Sequence, residues 1–271
     1  RLIPLGYEQW QHMGLYQRDL TSYDEKAIID NQQTDHNCMN CHSFRMHDPD
    51  EMLFHMRSTY GGTYVWTNGV LEKLDGKVSD AIQSLVYPYW HPSGDYVAFS
   101  TNQTKQMFHM KDKNRIEVFD MSSDVLVYDV RNHRVVTDSL LFSKQAFETF
   151  PSFSPDGKTL YFSSSVAQKM PIDYKKVKYN ICSISFDAET GRFGTQVDTL
   201  FSVEQTGKTG TFPRVSPDGK FLAFTEADYG NFTIWHKEAD LCLIDLKTKE
   251  IKSLDALNSL EAESYHAWSS N

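Results

Sequence analysis

The sequence predicts an all-β protein of the propeller class, in which a short helical segment precedes the strands. Two observations lead to this prediction. A pattern of strand, tight turn and strand occurs three times, with prolines at positions 88, 151 and 213. A further strand pattern follows each copy. Supersecondary units repeated along a chain are typical of solenoids and propellers, and units made only of strands favour propeller blades.

The first 45 residues differ from the repeats and are expected to be helical. The stretch Ser22–Glu25 has the form of a capping box, which predicts a helix that continues to about Asn31. An earlier helix is indicated by residues at helical spacing, namely Tyr7, Trp10, Met13 and Gln17. We therefore predict a helical segment over residues 1–45 and propeller blades over residues 46–271.

An early blade is expected between Met52 and Asp80. Residues 52–57 have the composition of a strand, and residues 63–73 predict a hairpin. The centre of this hairpin is Asn68-Gly69, the strongest short signal for a two-residue hairpin turn.

The three clear repeats span residues 87–100, 150–163 and 212–225. In each copy a proline fixes the backbone before the turn, and a glycine supplies the positive φ that the turn requires. The strands that follow are expected at residues 124–129, 180–185 and 240–245, which places Cys182 and Cys242 at equivalent core positions. Long loops are expected at Gln103–Phe119 and Val166–Tyr179. Residues 265–271 match the start of a further copy, so we expect the chain to be a piece of a longer protein.

The repeat, with letters such as Phe-Ser-Pro-Asp-Gly-Lys at residues 153–158, resembles that of TolB-like β-propellers, which are relatives of WD-type repeats. The resemblance covers residues 46–271. It implies blades of four strands, commonly six in number, and hence a propeller that is incomplete in this chain. It also implies a periplasmic or otherwise extracytoplasmic protein of bacterial type that binds a protein partner.

Residues 38–42 form a Cys-x-x-Cys-His motif, the attachment signature of haem c. From the composition of this chain, roughly 0.002 chance matches are expected. The motif predicts that Cys38 and Cys41 bind one porphyrin covalently and that His42 is the proximal ligand of its iron. The second axial ligand is open, with candidates among His and Met residues, first His109, His55 and His12, then Met46, His47, Met52, Met56, Met13, Met107 and Met110.

Other interpretations of the two motif cysteines remain open. They could form a disulfide, act as a thiol redox pair, or provide half of a zinc site. Cys182 and Cys242 do not form the second close pair that a zinc site of the usual kind needs.

Composition limits the classes of function. The net charge of −9 argues against nucleic acid as a partner, and no run of apolar residues is long enough for a membrane span. The chain starts without Met, so membrane association through a preceding segment stays possible. The nucleophile elbow G-x-S-x-G, the P-loop and G-x-G-x-x-G are absent from the sequence.

These observations favour an exported haem c propeller protein that transfers electrons or binds a redox partner. One alternative is a non-catalytic scaffold for a protein, peptide or glycan. A second is the non-catalytic domain of a larger enzyme.

Overall fold

The computed structural model describes residues 13–48, 50–74, 82 and 84–269. The chain divides into two compact units, Arg1–Gly76 and Lys77–Asn271. Within the described residues both units consist almost entirely of antiparallel strands. The prediction of an all-β propeller fold is therefore confirmed.

The first unit contains a two-stranded hairpin and one four-stranded sheet in the order β3-β4-β5-β6. Its core is a cluster of Met39, Met52, Phe54 and Met56, against which Trp66 packs. The strands are β1 (Gly14–Arg18), β2 (Glu25–Asp30), β3 (Met39–Phe44), β4 (Met52–Met56), β5 (Gly62–Thr67) and β6 (Val70–Lys73).

The predicted N-terminal helices are wrong within the described residues. Glu25 does not cap a helix but begins β2, and Ser22 accepts a hydrogen bond from the amide of Asp24 in a turn. Tertiary pairing overrides the local signal, because the run to Asp30 pairs with Gly14–Arg18. The early blade is correct in β4 and in the β5–β6 hairpin around Asn68-Gly69, and its sheet begins before residue 52, at β3. Tyr7, Trp10 and residues 75–80 lie outside the described part.

The second unit holds three four-stranded sheets, each running from an inner to an outer strand. The strands are β7 (Val86–Trp90), β8 (Tyr96–Phe108), β9 (Ile116–Asp129) and β10 (Arg134–Val136), then β11 (Ala146–Phe153), β12 (Thr159–Val166), β13 (Asn180–Asp187) and β14 (Arg192–Phe201), then β15 (Thr209–Val215), β16 (Phe221–Ala227), β17 (Asp240–Asp245) and β18 (Ile251–Ser253). The described helices are one α-helical turn, Val203–Thr206, and the 3-10 turns Asn31–Thr34, Arg45–His47, Ser58–Tyr60, Tyr174–Lys176 and Thr233–Trp235.

The repeated turn has the hydrogen bonds that its sequence predicts. Ser154 donates to the carboxylate of Asp156 at 2.6 Å, and the same carboxylate accepts from the amide of Lys158 at 3.1 Å. Gly157 adopts a φ of 72° at the corner. The copy at residues 216–220 repeats these distances. The carboxylate thus stabilises the turn that joins the two innermost strands of a blade.

Each inner strand contains a β-bulge centred on a residue in the left-handed region. In the second unit these residues are Tyr87, Phe150 and Phe212, with φ of 51°, 54° and 55°, and Tyr265 has the same conformation with φ of 56°. The bulge interrupts the strand register at this point in all three sheets. It turns the aromatic side chain toward the neighbouring blade.

The four aromatic rings form a continuous row that joins the blades. Ring centroids are separated by 4.7 Å between Tyr87 and Phe150, 3.9 Å between Phe150 and Phe212, and 4.5 Å between Phe212 and Tyr265. We call these four residues the aromatic row. Phe150 and Phe212 are fully buried, so the row is the apolar seam along which the inner strands pack.

Replacing Phe150 with Ala is expected to lower the free energy of unfolding of the second unit by about 3–5 kcal/mol, because a fully buried ring leaves a cavity. Urea denaturation followed by circular dichroism measures the change. The control is Phe108→Ala, since that ring is 71% exposed and its loss should change the free energy by less than about 0.5 kcal/mol. Equal effects of both substitutions would show that the row is not a seam.

Candidate functional site

Residues 39–42 of the Cys-x-x-Cys-His motif lie on strand β3 and Cys38 directly precedes it, so the helical prediction for the motif is wrong. Cys41 has a φ of 54°, and the register of β3 on β4 shifts between Asn40 and Ser43. Cys41 and His42 therefore occupy the bulge position that Tyr87 and Pro88 occupy in the next sheet. The second half of the motif is part of the blade repeat.

The exposure and protonation of the motif's side chains would allow them to bind a cofactor. The thiols of Cys38 and Cys41 are both of intermediate exposure. Burial raises the pKa of the Cys38 thiol, with a smaller opposing effect from Arg57. Partial burial lowers the pKa of His42, so its imidazole is neutral at pH 7, and the ring packs edge-on against Phe44 at 5.7 Å.

The candidate second ligands fall in different surroundings. His55 is buried in the first unit, where its Nδ1 lies 3.1 Å from Thr63 Oγ1 and burial lowers its pKa to about 4. His109 belongs to the second unit, with Nε2 3.4 Å from the hydroxyl of Tyr174. His12 and the side chain of His47 lie outside the described part of the chain. The remaining candidates are the core residues Met52 and Met56, the exposed Met46 and Met110, and the half-buried Met13 and Met107.

Within the described residues, no group of three or more His, Cys, Asp or Glu side chains has a geometry that could hold a metal ion. The motif thus supplies two thiols and one imidazole. The sequence prediction of Cys38, Cys41 and His42 as a haem site stays a prediction.

The segment expected as a long loop at Gln103–Phe119 is a strand hairpin instead. Strands β8 and β9 pair from Tyr96↔Asp129 to Phe108↔Ile116, with one register shift between Gln103 and Thr104. Strands β8 and β9 are therefore much longer than a blade alone requires. We call residues 102–120 the extended hairpin.

Near its tip, the extended hairpin is anchored to the connection between β16 and β17 through Glu117, which pairs with Met107 on β8. This buried carboxylate accepts a hydrogen bond from the hydroxyl of Tyr229 at 2.8 Å and lies 3.0 Å from Nε2 of His236. Burial and the hydrogen bond to Glu117 raise the pKa of Tyr229, which keeps the phenol protonated as a donor. Both oxygens of Glu117 therefore have a hydrogen-bonding partner in a buried place.

The tip of the hairpin is held by polar contacts at its surface. Lys175 donates to Asp112 at 3.1 Å, and Lys113 lies 3.1 Å from Glu238. The ring of Phe119 stacks on Tyr174 at 5.5 Å. The expected loop at Val166–Tyr179 is largely irregular as predicted, and through Tyr174 it supports the hairpin.

Two carboxyl groups lie buried between the blades. Asp120 accepts hydrogen bonds from Nδ2 of Asn102 at 2.8 Å and from Nδ2 of Asn231. Burial raises the pKa of Asp120 to about 7. Burial, and next the charge of Asp124, raise the pKa of Glu148 to about 8. Both groups are sealed from solvent, so they can hold protons within the fold but cannot reach an external substrate.

Sequence reasoning missed Glu117, Asp120 and Glu148. The available signal was the presence of acidic residues inside segments of strand composition, since a charged residue on a covered strand needs a partner. A loop predicted at residues 103–119 implies a solvent-exposed Glu117, whereas the paired strands bury it.

Three solved structures illustrate what the fold is similar to. A protein assigned as TolB from Agrobacterium tumefaciens is 14% identical, with a TM-score of 0.41 over 85% of this chain and 84% of that one. The Cps50 (Swd1) β-propeller domain from Myceliophteria thermophila is 9% identical, with a TM-score of 0.47 over 80% and 61%. The ancestral GH74 enzyme AFV00434 is 11% identical, with a TM-score of 0.51 over 86% of this chain and 29% of that one.

At these identities the likeness shows the propeller fold alone. No protein-family model and no curated protein sequence matches the chain. No helix in the described part has the length and apolar character needed to cross a membrane.

The buried acids predict that stability falls as the pH rises. The pKa of Glu148 is about 8 in the folded state and 4.5 unfolded, so its contribution is present below pH 4.5 and is lost as the pH rises toward 8. Between pH 5 and pH 9 the free energy of unfolding of the unsubstituted protein should therefore fall by about 1–3 kcal/mol more than that of Glu148→Gln. Urea denaturation at both pH values measures this.

The matched control is Glu189→Gln, because Glu189 is exposed at a turn. Its substitution should leave the pH dependence unchanged. A parallel pH dependence in Glu148→Gln and the unsubstituted protein would contradict the assignment.

Proposed function

We propose that this chain is a non-catalytic propeller scaffold that binds a protein partner through the tip of the extended hairpin. The observation that carries the proposal is the exposure of two large apolar side chains there, Phe108 at 71% and Met110 at 88%. Aromatic residues and Met are enriched in protein interfaces, and an exposed apolar patch on a soluble protein commonly marks one.

The support beneath these side chains favours binding. The ion pair of Lys175 with Asp112 and the stacking of Tyr174 on Phe119 hold the hairpin in one arrangement. A surface that is ordered before binding loses less conformational entropy when the partner arrives. Ile172, also 71% exposed, lies two residues before Tyr174 and extends the apolar character of this region.

The proposal includes an extracytoplasmic location, which the resemblance of the sequence repeat to TolB-like propellers implies. A non-catalytic domain within a larger enzyme would use the same surface toward the rest of that enzyme, so the interface test below applies to either form.

We expect a photo-crosslinking amino acid at position 108 or 110 to give an adduct of defined mass in the cell of origin, because both side chains face solvent at the proposed interface. Mass spectrometry of the adduct identifies the partner. The control position is Leu257, which is 63% exposed and lies outside the hairpin. Equal labelling from all three positions, or no adduct from 108 and 110, would contradict the proposal.

A second candidate function is haem binding at Cys38, Cys41 and His42. The two half-buried thiols and the neutral imidazole, with Cys41 and His42 on the bulge of β3, fit the donors that haem c requires. When bound, the haem would supply one-electron redox chemistry. The bulge would present Cys41 and His42 in consecutive positions, and Phe44 would restrict the orientation of the imidazole.

Production together with a haem c maturation system tests this candidate. Covalent haem should add the mass of one haem to the intact chain and give a Soret absorption band. Both signals should vanish in Cys41→Ala and persist in Cys182→Ala, because Cys182 is a buried core residue. An unchanged mass without a Soret band would contradict haem binding and would leave the scaffold proposal standing.

A further inference from the structure

The residues two positions after the aromatic row lie on the inner strands of consecutive blades. They are Tyr89 on β7, Ser152 on β11 and Arg214 on β15. The guanidinium carbon of Arg214 lies 5.3 Å from the ring centroid of Tyr89, although the strand of Ser152 separates their strands in sequence. The two side chains therefore meet on the axial side of the inner strands.

The charge of Arg214 has no carboxylate partner in the described part of the chain. Among the described residues, its guanidinium donates a hydrogen bond from Nη1 to the carbonyl of Pro213 at 2.8 Å. After burial, which lowers the pKa of Arg214, the groups that act on its charge are the phenols of Tyr89 and Tyr265. A guanidinium carries five N–H donors, so most of its hydrogen-bonding capacity faces no protein acceptor.

The neighbourhood adds no compensating charge. Burial, and next the charge of Arg214, lower the pKa of His266 to about 4, which leaves that ring neutral at pH 7. In contrast, the described arginines near the outer turns have partners, as in the pairs of Arg131 with Asp95 and Arg134 with Asp129. A half-buried cation without a carboxylate partner has an uncompensated desolvation free energy, which a bound anion would offset. The net charge of this protein is negative.

Aromatic side chains lie close to Arg214. Tyr89 contributes its ring face, and Tyr265 and Trp268 are 47% and 39% exposed. Trp268 is held in place, since its Nε1 donates to the carbonyl of Arg214 at 2.9 Å. Aromatic surface around one cation suits a peptide segment that carries a single negative charge.

We propose that Arg214 binds a carboxylate of a peptide segment on the axial side of the inner strands, with Tyr89 and Trp268 as its aromatic border. The planar guanidinium matches a carboxylate with two parallel hydrogen bonds. One cation balances one carboxylate, whereas a phosphate group carries more charge than Arg214 alone would neutralise. This inference rests on the proposed scaffold function and adds the chemistry of the partner.

NMR titration of the full chain tests the assignment with defined probes. N-acetyl-Phe-Glu-amide should shift the indole N–H signal of Trp268 and the Nε–H signal of Arg214 in a saturable way. N-acetyl-Phe-Gln-amide has the same shape without the charge and should cause no saturable shift. N-acetyl-Phe tests a terminal carboxylate, and inorganic phosphate tests the other anion.

Arg214→Gln should weaken binding of the Glu peptide at least about tenfold, because it removes charge-assisted hydrogen bonds. Arg214→Lys keeps the positive charge but loses the two parallel N–H donors of the guanidinium, so it should bind the Glu peptide with intermediate affinity. Arg192→Gln, on outer strand β14, is the control and should bind like the unsubstituted protein. If Arg214→Gln does not fold, the lysine variant and the Nε–H signal of Arg214 itself decide the question.

Three results would overturn the inference. They are the lack of a saturable shift with either carboxylate probe, equal binding of the Glu and Gln peptides, and tighter binding of phosphate than of carboxylate. None of them affects the crosslinking expected at positions 108 and 110, so failure here is distinguishable from failure of the scaffold proposal.

Discussion

Stacking of aromatic rings at the bulges of the inner strands is the interaction on which the second unit depends. Phe150 contacts Tyr87 on one side and Phe212 on the other, and each ring reaches its neighbour because its own backbone is left-handed. An L residue adopts this conformation only at a cost, which the burial of the ring offsets. The same bulge sets the direction of the residues that follow, so it also determines that Arg214 and Tyr89 meet.

A polar layer accompanies the apolar seam. The amide of Phe150 donates to Ser100 Oγ at 3.1 Å, and this hydroxyl lies 3.2 Å from Thr149 Oγ1. The bulge frees an amide from the strand ladder, and a hydroxyl of the preceding blade satisfies it. Farther out, Asp120 and Glu117 join the extended hairpin to the next blades. The hairpin thus owes its fixed position to buried polar contacts, and its exposed apolar tip gains a rigid base.

Sequence patterns predicted the parts of the fold that depend on local chemistry. The turn at Asp156 and Gly157 is predicted by the residue types at fixed positions of the repeat. The strands on either side are predicted by the alternation of residue types along them. The first unit was harder, because the bulge of β3 contains Cys41 and His42 where the other blades have an aromatic residue and usually proline. Its pairing with β4 is a long-range property that no local spacing reveals. The contacts of Arg214 and Asp120 with other blades could likewise not be predicted from the sequence, because they depend on which strands become neighbours.

Native-state hydrogen exchange of the full chain tests most directly whether the aromatic row organises the second unit. The account predicts that the amides of β11 and β15, including that of Phe150, exchange only when the whole unit unfolds. The outer strands β14 and β18 and the tip of the extended hairpin should exchange earlier, through local opening. Exchange of the β11 amides at or before the rate of the outer strands would contradict the account.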